Sequence, residues 1–260
     1  MVHVVKSLGG NFVLQQQLKS LDSTNNQENL IREIATPLFS DIEYNTTNIY
    51  DSIVYKTSSV LKNHPNLEGT DQLLFFFAVA IGSRDPDTGD HCERLVKMGS
   101  EFGKYLQLSP VEIRDITWGA YLHDIGKIAT PDTVLLKKEK LTPDEWEIMK
   151  QHVVIGERIC QPLASTKGVL PIIRNHHERW DGSGYPDGLK GNEIPYIVQV
   201  FQIIDIYDAL ISTRPYKKGL TSELAISLMW KETNTGWRNP ELMEKFTEFI
   251  LQSDNFRTKY

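Results

Sequence analysis

The chain has 260 residues and a net charge of −6, with 28 Lys and Arg against 34 Asp and Glu. A content of 40% hydrophobic and 24% charged residues is typical of one globular domain with at most an accessory segment, and it excludes a fibrous or disordered chain. The acidic charge argues against binding to polymeric nucleic acid; with no signal peptide and no apolar run long enough for a membrane span, we expect a soluble, cytoplasmic protein.

Residues 1–70 are polar, with a weak helical spacing of Ile49, Ile53 and Val60. We predict a small helical N-terminal segment there, either a solvated linker or a helix pair that forms a homodimer. The sequence does not indicate what this segment does. A second, larger domain is predicted for residues 71–260.

The predicted domain contains clear helix starts. Residues 109–112 read Ser-Pro-Val-Glu, which combines an N-cap, a first-turn proline and a glutamate that closes the capping box, and residues 142–145 repeat the chemistry. A third apolar stretch runs from Pro195 to Ile211. No alternating strand pattern stands out, so the predicted fold class is an all-α bundle. The exception is the Gly-rich loop, residues 180–195, whose length is typical of a functional lid or a disordered segment.

Histidines recur beside apolar residues at helical spacing. The five are His91, His123, His152, His176 and His177. His152, for example, shares a predicted face with Ile148, Ile155 and Ile159, because residues three or four apart lie on one side of a helix. One inward histidine is more often a hydrogen-bonded core residue than a ligand, but five together favour a shared purpose, since each buried nitrogen needs a partner.

Three acids interrupt apolar runs in the same way, namely Asp124, Asp205 and Asp208. A buried carboxylate needs a cation, and the nearby Lys127 and Arg214 are too few for all three. Divalent metals would satisfy the acids and the imidazoles together. Mixed His and Asp ligands suit iron, manganese or zinc rather than calcium or magnesium, and this many ligands exceeds one tetrahedral ion. The sequence therefore predicts a site of two or more metals.

Residues from about 72 to 250 resemble the HD-GYP phosphodiesterases, a branch of the HD metal-dependent phosphohydrolases. The motifs that carry the resemblance are residues 84–91 (RDPDTGDH), 122–128 (LHDIGKI), 141–152 (LTPDEWEIMKQH), 176–186 (HHERWDGSGYP), 205–210 (DIYDAL) and 214–217 (RPYK). The order and span of these motifs make the resemblance specific. It implies an HD-type helical bundle with a Gly-rich loop.

The resemblance also implies an activity and a ligand set. Such proteins hydrolyse cyclic di-GMP, some through linear pGpG to GMP, by a hydroxide that bridges two metals. The matching ligand positions are His91, His123, Asp124, His152, His176, His177 and Asp205. Asp124 takes the bridging position, and Asp87 matches the ligand of a third metal in some members, or else caps a helix near Thr88. Two or three divalent ions are expected, iron or manganese first, with zinc or nickel as alternatives.

Further roles follow from positions in the sequence and, for Tyr185 and the Gly-rich loop, from the resemblance. Lys127 would protonate the leaving 3′ oxygen or hold the phosphate, unless it is a surface lysine that caps a helix end. Arg214 and Lys217 would hold the second phosphate, and Tyr185 would stack on the substrate or hydrogen-bond to it. Asp208 would orient a ligand rather than be one. The Gly-rich loop would also be the surface for a diguanylate cyclase or another signalling partner.

Three other functions stay open at this point. The pocket could prefer 3′,3′-cyclic GMP-AMP, it could bind cyclic di-GMP as a weakly active receptor or scaffold, or it could hydrolyse another phosphoester such as a nucleoside triphosphate. The chain departs from the family at Gln199, where an arginine is usual, and at residues 238–240, where Arg-Asn-Pro replaces Phe-Asp-Pro. These departures concern substrate preference and partner surfaces rather than the matched ligands.

Overall fold

The computed structural model describes residues 75, 78–79, 91–213, 218–253 and 256. The chain divides into two compact units, residues 1–83 and 84–260, and every element named below belongs to the second. The predicted N-terminal helical segment and the predicted site residues Asp87, Arg214 and Lys217 lie outside the described residues.

The described part of the chain is helical and contains no strand. Its α-helices are α1 (His91–Tyr105), α2 (Pro110–Leu122), α3 (Asp132–Leu135), α4 (Pro143–Cys160), α5 (Leu170–Asn175), α6 (Tyr196–Ile211), α7 (Ser222–Asn234) and α8 (Pro240–Gln252). Short 3-10 helices lie at Ile125–Ala129, Ala164–Thr166 and Gly191–Glu193. None of these helices combines the length and the apolar composition that crossing a bilayer requires. The predicted all-α bundle is confirmed.

Local signals set the starts of α2 and α4. Ser109 accepts a hydrogen bond from the backbone N–H of Glu112, whose carboxylate in turn accepts one from the Ser109 backbone N–H. Thr142 and Glu145 form the same reciprocal pair at α4. Each pair satisfies two N–H groups that have no partner inside the helix, so both predicted helix starts are confirmed.

Helix α6 is the centre of the bundle and contacts α1, α2, α5, α7 and α8. Its residues 198–204 are all buried, so a helix that is apolar on every side is surrounded by other helices, as expected. The predicted stretch from Pro195 to Ile211 is this helix. The departure from the family at Gln199 lies here, and the Asn239 side-chain amide donates a hydrogen bond to the Gln199 amide oxygen over 2.9 Å. The two departures therefore contact each other as a neutral amide pair.

The prediction for the apolar face of α4 was right at its middle and wrong at its ends. His152 is buried, together with Val153 and Gly156, but Ile148 and Ile159 are more than a third exposed. Cys160, next to Ile159 at the end of the helix, is buried as well. The covered face therefore passes through residues 152, 153, 156 and 160, and Ile148 and Ile159 lie to one side of it, because successive residues are about 100° apart around a helix.

The Gly-rich loop is held to the bundle by a buried carboxylate. Glu178 accepts hydrogen bonds from the backbone N–H groups of Asp187, Gly188 and Leu189 at 2.7–3.1 Å. Gly184 lies so close to this anchor that a Cβ there would be 2.3 Å from the backbone nitrogen of Arg179. A larger residue at 184 would force the loop away from its support.

Candidate metal centre

Six of the predicted ligands form two groups of three, and within each group the ligand atoms lie within 4.8 Å of one another. The first triad is His91, His123 and Asp205; the second triad is His152, His176 and His177. The spacing along the sequence did not reveal this grouping, since each triad combines residues from distant helices.

Asp124 lies between the two triads and turns one carboxylate oxygen to each. Its Oδ2 is 3.4 Å from Nε2 of His123 in the first triad. Its Oδ1 is 3.4 Å from Nε2 of His152 and 3.9 Å from Nε2 of His176 in the second. This is the position that a carboxylate shared by two metal ions would need, as the sequence predicted for Asp124.

Helix ends, as much as helix faces, place the imidazoles. The sequence predicted all five on helices, but His123 and His176 cap the C-termini of α2 and α5, and His177 follows in a turn. Ending α5 there lets His176 and His177, which are adjacent in sequence, both join the second triad. Two successive residues of one helix would point about 100° apart. Only His91 and His152 lie within helices among these five.

A glycine brings Asp124 close to α4. A Cβ at Gly126 would lie 1.8 Å from the backbone oxygen of His152 and 2.6 Å from the nitrogen of Gly156. Backbone atoms cannot move aside as a flexible side chain can. Gly126 therefore allows the segment that carries Asp124 to touch the helix that carries His152.

In three of the histidines, hydrogen bonds at Nδ1 fix which ring nitrogen faces the centre. The Nδ1 atoms of His123, His152 and His176 lie 2.7–3.1 Å from the backbone oxygens of Gly119, Met149, and Ile172 with Ile173. A carbonyl oxygen can only accept, so Nδ1 carries the proton and Nε2 presents a lone pair. Metal-binding histidines are oriented in this way.

The second triad contains polar atoms that the protein itself leaves unsatisfied. Nε2 of His152 and Nε2 of His176 are buried and make no hydrogen bond within the described part of the chain. An unpaired buried nitrogen costs free energy, about 1–3 kcal/mol, whereas a lone pair aimed at a shared point is what a divalent metal requires. The donor set of five imidazoles and two carboxylates thus fits borderline transition ions.

Burial keeps the second triad in the neutral, ligand-competent form. Burial lowers the pKa of His152, and burial with the neighbouring His177 and His123 lowers the pKa of His176 well below its usual range. Burial and the nearby His152 lower the pKa of His177 to about 3. A histidine must be neutral to bind a metal, so these three rings need no proton release at neutral pH.

In the first triad, the pKa shifts favour the charged forms of both His91 and Asp205. Burial opposes protonation of His91, but hydrogen bonds to Asp205 and Asp208 raise its pKa to about 9. Burial raises the pKa of Asp205 and Asp124, but His91 lowers that of Asp205 on balance, and Lys127 and His123 lower that of Asp124 well below its usual range. A proton on Nε2 of His91, 3.2 Å from Asp205, sits where a metal would bind. Proton and metal therefore compete for this nitrogen.

Asp208 contacts the far side of His91 rather than the centre. Its Oδ2 lies 2.7 Å from Nδ1 of His91, and its two oxygens accept hydrogen bonds from Nε and a terminal nitrogen of Arg94 at 2.6 and 2.9 Å. Sequence reasoning gave no role to Arg94. A signal was available, because Arg94 follows His91 by three residues and so shares its helix face.

Lys127 lies beside the shared carboxylate. Its Nζ is 2.6 Å from Oδ2 of Asp124, the oxygen that faces the first triad. The residue belongs to the 3-10 helix at Ile125–Ala129 rather than to a continuing α-helix. Residues three apart are eclipsed in 3-10 geometry, so the spacing of Asp124 and Lys127 still brings the two charges together.

Tyr185 brings the Gly-rich loop against the second triad. Its ring stacks on His177, with ring centres 4.8 Å apart and an interplanar angle of 25°. Its backbone N–H also donates to the carbonyl of His177. Glu178, which holds the loop, received no role from the sequence although it directly follows His177 in the quoted motif.

The chain is similar to known proteins both in sequence and in fold. A family model described as an HD domain matches residues 77–242. The chain is 44% identical over 158 residues to the cyclic di-GMP phosphodiesterase response regulator RpfG of Xanthomonas campestris pv. campestris, which covers 60% of this chain and 42% of that protein. It is 43% identical over 168 residues to a cyclic di-GMP phosphodiesterase of Thermotoga maritima, covering 63% and 45%. The chain therefore spans less than half the length of these relatives.

A solved structure has a similar fold. The crystal structure of the cyclic GMP-AMP specific phosphodiesterase V-cGAP3 of V. cholerae matches with a TM-score of 0.55 at 20% identity, over 71% of this chain and 49% of that one. At this identity the likeness concerns the fold alone.

Proposed function

This chain belongs to the HD domain family, within its HD-GYP branch, and on that basis we propose that it is a metal-dependent phosphodiesterase that hydrolyses cyclic di-GMP to linear pGpG and then to GMP. One observation carries the proposal: two triads of ligand atoms flank a carboxylate that offers one oxygen to each. Burying this many polar ligand atoms would only destabilise a core that binds no metal, because two of them have no hydrogen-bond partner among the described residues.

The residues divide naturally between two ions. His91, His123 and Asp205 would hold one, His152, His176 and His177 the other, and Asp124 would contact both. Bound divalent ions would neutralise the phosphodiester and make a water molecule acidic enough to attack it at neutral pH. We propose iron or manganese as the native metal, with Asp87 as the ligand of a third ion.

The protein's own groups would orient the site and handle protons. The carbonyls and Asp208 that bind Nδ1 hold four of the imidazoles, those of His91, His123, His152 and His176, in one orientation, so these rings need not reorganise during the reaction. Cleavage forms a bond from water oxygen to phosphorus and breaks the bond to the 3′ oxygen, which must gain a proton. The Lys127 ammonium, beside Asp124, is the proposed donor.

The substrate's other parts would meet the rim of the centre. We propose that Arg214 and Lys217 hold the second phosphate, the arginine by a bidentate pair. Tyr185 projects from the loop beside the second triad and would contact the nucleotide. The same loop is the proposed surface for a diguanylate cyclase. Relatives in Vibrio cholerae that are 36% and 31% identical in sequence are 3'3'-cGAMP-specific phosphodiesterases, so 3′,3′-cyclic GMP-AMP is the second candidate substrate.

The test is a product assay on metal-loaded protein. Protein reconstituted anaerobically with iron(II) or manganese(II) is incubated with cyclic di-GMP and with cyclic GMP-AMP, and linear and mononucleotide products are separated by chromatography. We expect pGpG to appear before GMP and metal content to reach two or three per chain. Tight binding of cyclic di-GMP without product would leave a receptor in place of an enzyme.

Replacing Lys127 tests its role in proton transfer. Lys127→Ala is expected to lower kcat for cyclic di-GMP by about 100-fold, the lower end of what a positioned acid contributes, with metal content unchanged. Lys140→Ala, a matched change of an exposed lysine, is the control and should leave kcat as in the wild type. If Lys127→Ala and Lys140→Ala behave alike, Lys127 is only a cap at the end of its helix.

A further inference from the structure

A row of aromatic rings leads from the second triad to solvent. The ring of His177 stacks on Tyr185, and the Tyr185 ring meets the indole of Trp146 edge to face, with centres 6.0 Å apart and an interplanar angle of 81°. Trp146 lies in the first turns of α4 and is 44% exposed. The outermost ring of the row is thus an open aromatic surface beside the proposed centre.

Tyr185 has little ring surface left to offer. His177 stacks on its ring, Trp146 contacts it, and the Lys150 ammonium lies 5.9 Å from its centre. Its hydroxyl, by contrast, makes no hydrogen bond with any residue that the structure describes. The sequence left two roles open for Tyr185, stacking on the substrate and hydrogen bonding to it. The structure favours the hydrogen bond, because the ring is already covered, so a neighbouring residue has to provide the stacking surface.

Trp146 is the most exposed tryptophan in the described part of the chain, since Trp118 is buried and Trp180, Trp230 and Trp237 are half-buried. Trp230 donates its indole N–H to Thr247 over 3.0 Å, the Arg179 guanidinium lies 3.6 Å from the ring centre of Trp237, and Trp118 is buried. The Trp146 indole N–H makes no hydrogen bond with a described residue. A single exposed apolar side chain needs no explanation by itself, but this one extends a row that begins at a proposed ligand.

We propose that Trp146 is a specificity-determining residue, the surface on which one purine base of the cyclic dinucleotide stacks while its phosphodiester is at the centre. The inference rests on the proposed function. In a nucleotide, the base lies one sugar ring away from its phosphate. Trp146 is similarly near the centre, because only the Tyr185 ring lies between it and the proposed ligand His177. The Lys150 ammonium, which pairs with Glu147 at 2.7 Å and lies 5.9 Å from the centre of the Tyr185 ring, is a hydrogen-bond donor next to the row for the oxygen atoms of the base.

The stacking predicts an effect on substrate affinity rather than on the chemical step. A base stacked on an aromatic side chain loses about tenfold or more in affinity when that side chain becomes alanine. Trp146→Ala should therefore raise KM for cyclic di-GMP at least about tenfold with kcat within about twofold of the wild type, and Trp146→Phe should restore most of the loss, because phenylalanine keeps a stacking face.

The experiment compares Trp146→Ala, Trp146→Phe and Ile148→Ala in the full chain. Ile148 is a matched control, since it is 42% exposed on the same helix and has no proposed contact with substrate. For each variant kcat, KM, metal per chain and melting temperature are measured. A KM for Trp146→Ala equal to that of the wild type, or a loss that appears in kcat together with metal, would overturn the inference.

Failure of the inference can be told from failure of the proposed function. Wild-type protein that hydrolyses cyclic di-GMP while Trp146→Ala keeps its KM contradicts the stacking role alone. Wild-type protein that binds without turnover contradicts the enzyme, and the Kd values of the same variants, measured by calorimetry, then decide on Trp146. Protein that neither binds nor cleaves either cyclic dinucleotide contradicts both.

Discussion

The two triads differ in how their ligands are charged and held. In the first, a carboxylate joins two imidazoles, and the outer nitrogen of His91 binds Asp208, which in turn binds Arg94. In the second, three imidazoles stand together, and backbone carbonyls hold His152 and His176. Side chains therefore orient His91 in the first triad, whereas the fold itself orients these rings in the second.

This difference has a consequence for charge. Asp205 and Asp208 favour a positive charge at the first triad, as the raised pKa of His91 shows, after burial has opposed it. The second triad has lowered pKa values and two unpaired nitrogens, and Asp124 is the carboxylate closest to them. The charge at the first triad can thus be changed by replacing Asp205 or Asp208 singly. At the second triad, the nearby negative charge comes from the shared Asp124.

The largest effect is expected where the triads meet. Asp124→Asn should lower metal content at both triads and reduce kcat/KM roughly 1,000-fold or more, because groups that act as a unit fail together. Asp205 belongs to the first triad only, so Asp205→Asn should release about one ion per chain. Elemental analysis of the two variants measures the contrast, and equal metal loss in both would show that Asp124 is not shared.

A smaller effect is expected behind His91. Asp208→Asn should weaken metal binding at the first triad about tenfold, the lower end for a partner of a ligand, and leave the second triad as it is. Titration with a competing chelator should then give two steps that lie further apart than in the wild type. Asp144→Asn, an exposed carboxylate at the start of α4, is the control. A shift of both steps together would contradict separate triads.

The smallest effect concerns the loop beside the second triad. Hydrogen bonds from Arg174 lower the pKa of Asp187 below its ordinary 3.8, so the ionised form is stabilised in the folded protein. Asp187→Asn should cost about 0.5–1 kcal/mol of stability, as for half-exposed pairs. A lowered pKa means that this contribution is present above the ordinary pKa and disappears as pH falls through the folded one.

Denaturant unfolding of both proteins between pH 8 and pH 3 checks this prediction. The difference in midpoint between wild type and Asp187→Asn should stay constant from pH 8 to about pH 4.5 and shrink only at lower pH. A difference that instead changes around pH 6–7 would point to histidine protonation as its cause.

Much of the helical framework was predictable, because its signals are local. The caps at Ser109 and Thr142 need residues no more than three positions apart. The apolar stretch that becomes α6 is visible as composition alone. The face of α4 was predicted less well, because the covered side of the helix depends on where the 3-10 helix at Ile125–Ala129 and α5 pack, which the spacing of residues within α4 does not specify.

The sequence by itself determined the residue types of the candidate ligands, the helix starts at Ser109 and Thr142 and the family resemblance, since these depend on residue identity and short spacings. Only the tertiary structure decided which histidines form one triad, that Asp124 faces both, and that Asp208, 117 positions after His91 and 114 after Arg94, supports His91. It likewise placed Trp146 at the end of the aromatic row. Contacts between residues this distant form only when the helices pack, because no local interaction along the chain specifies them.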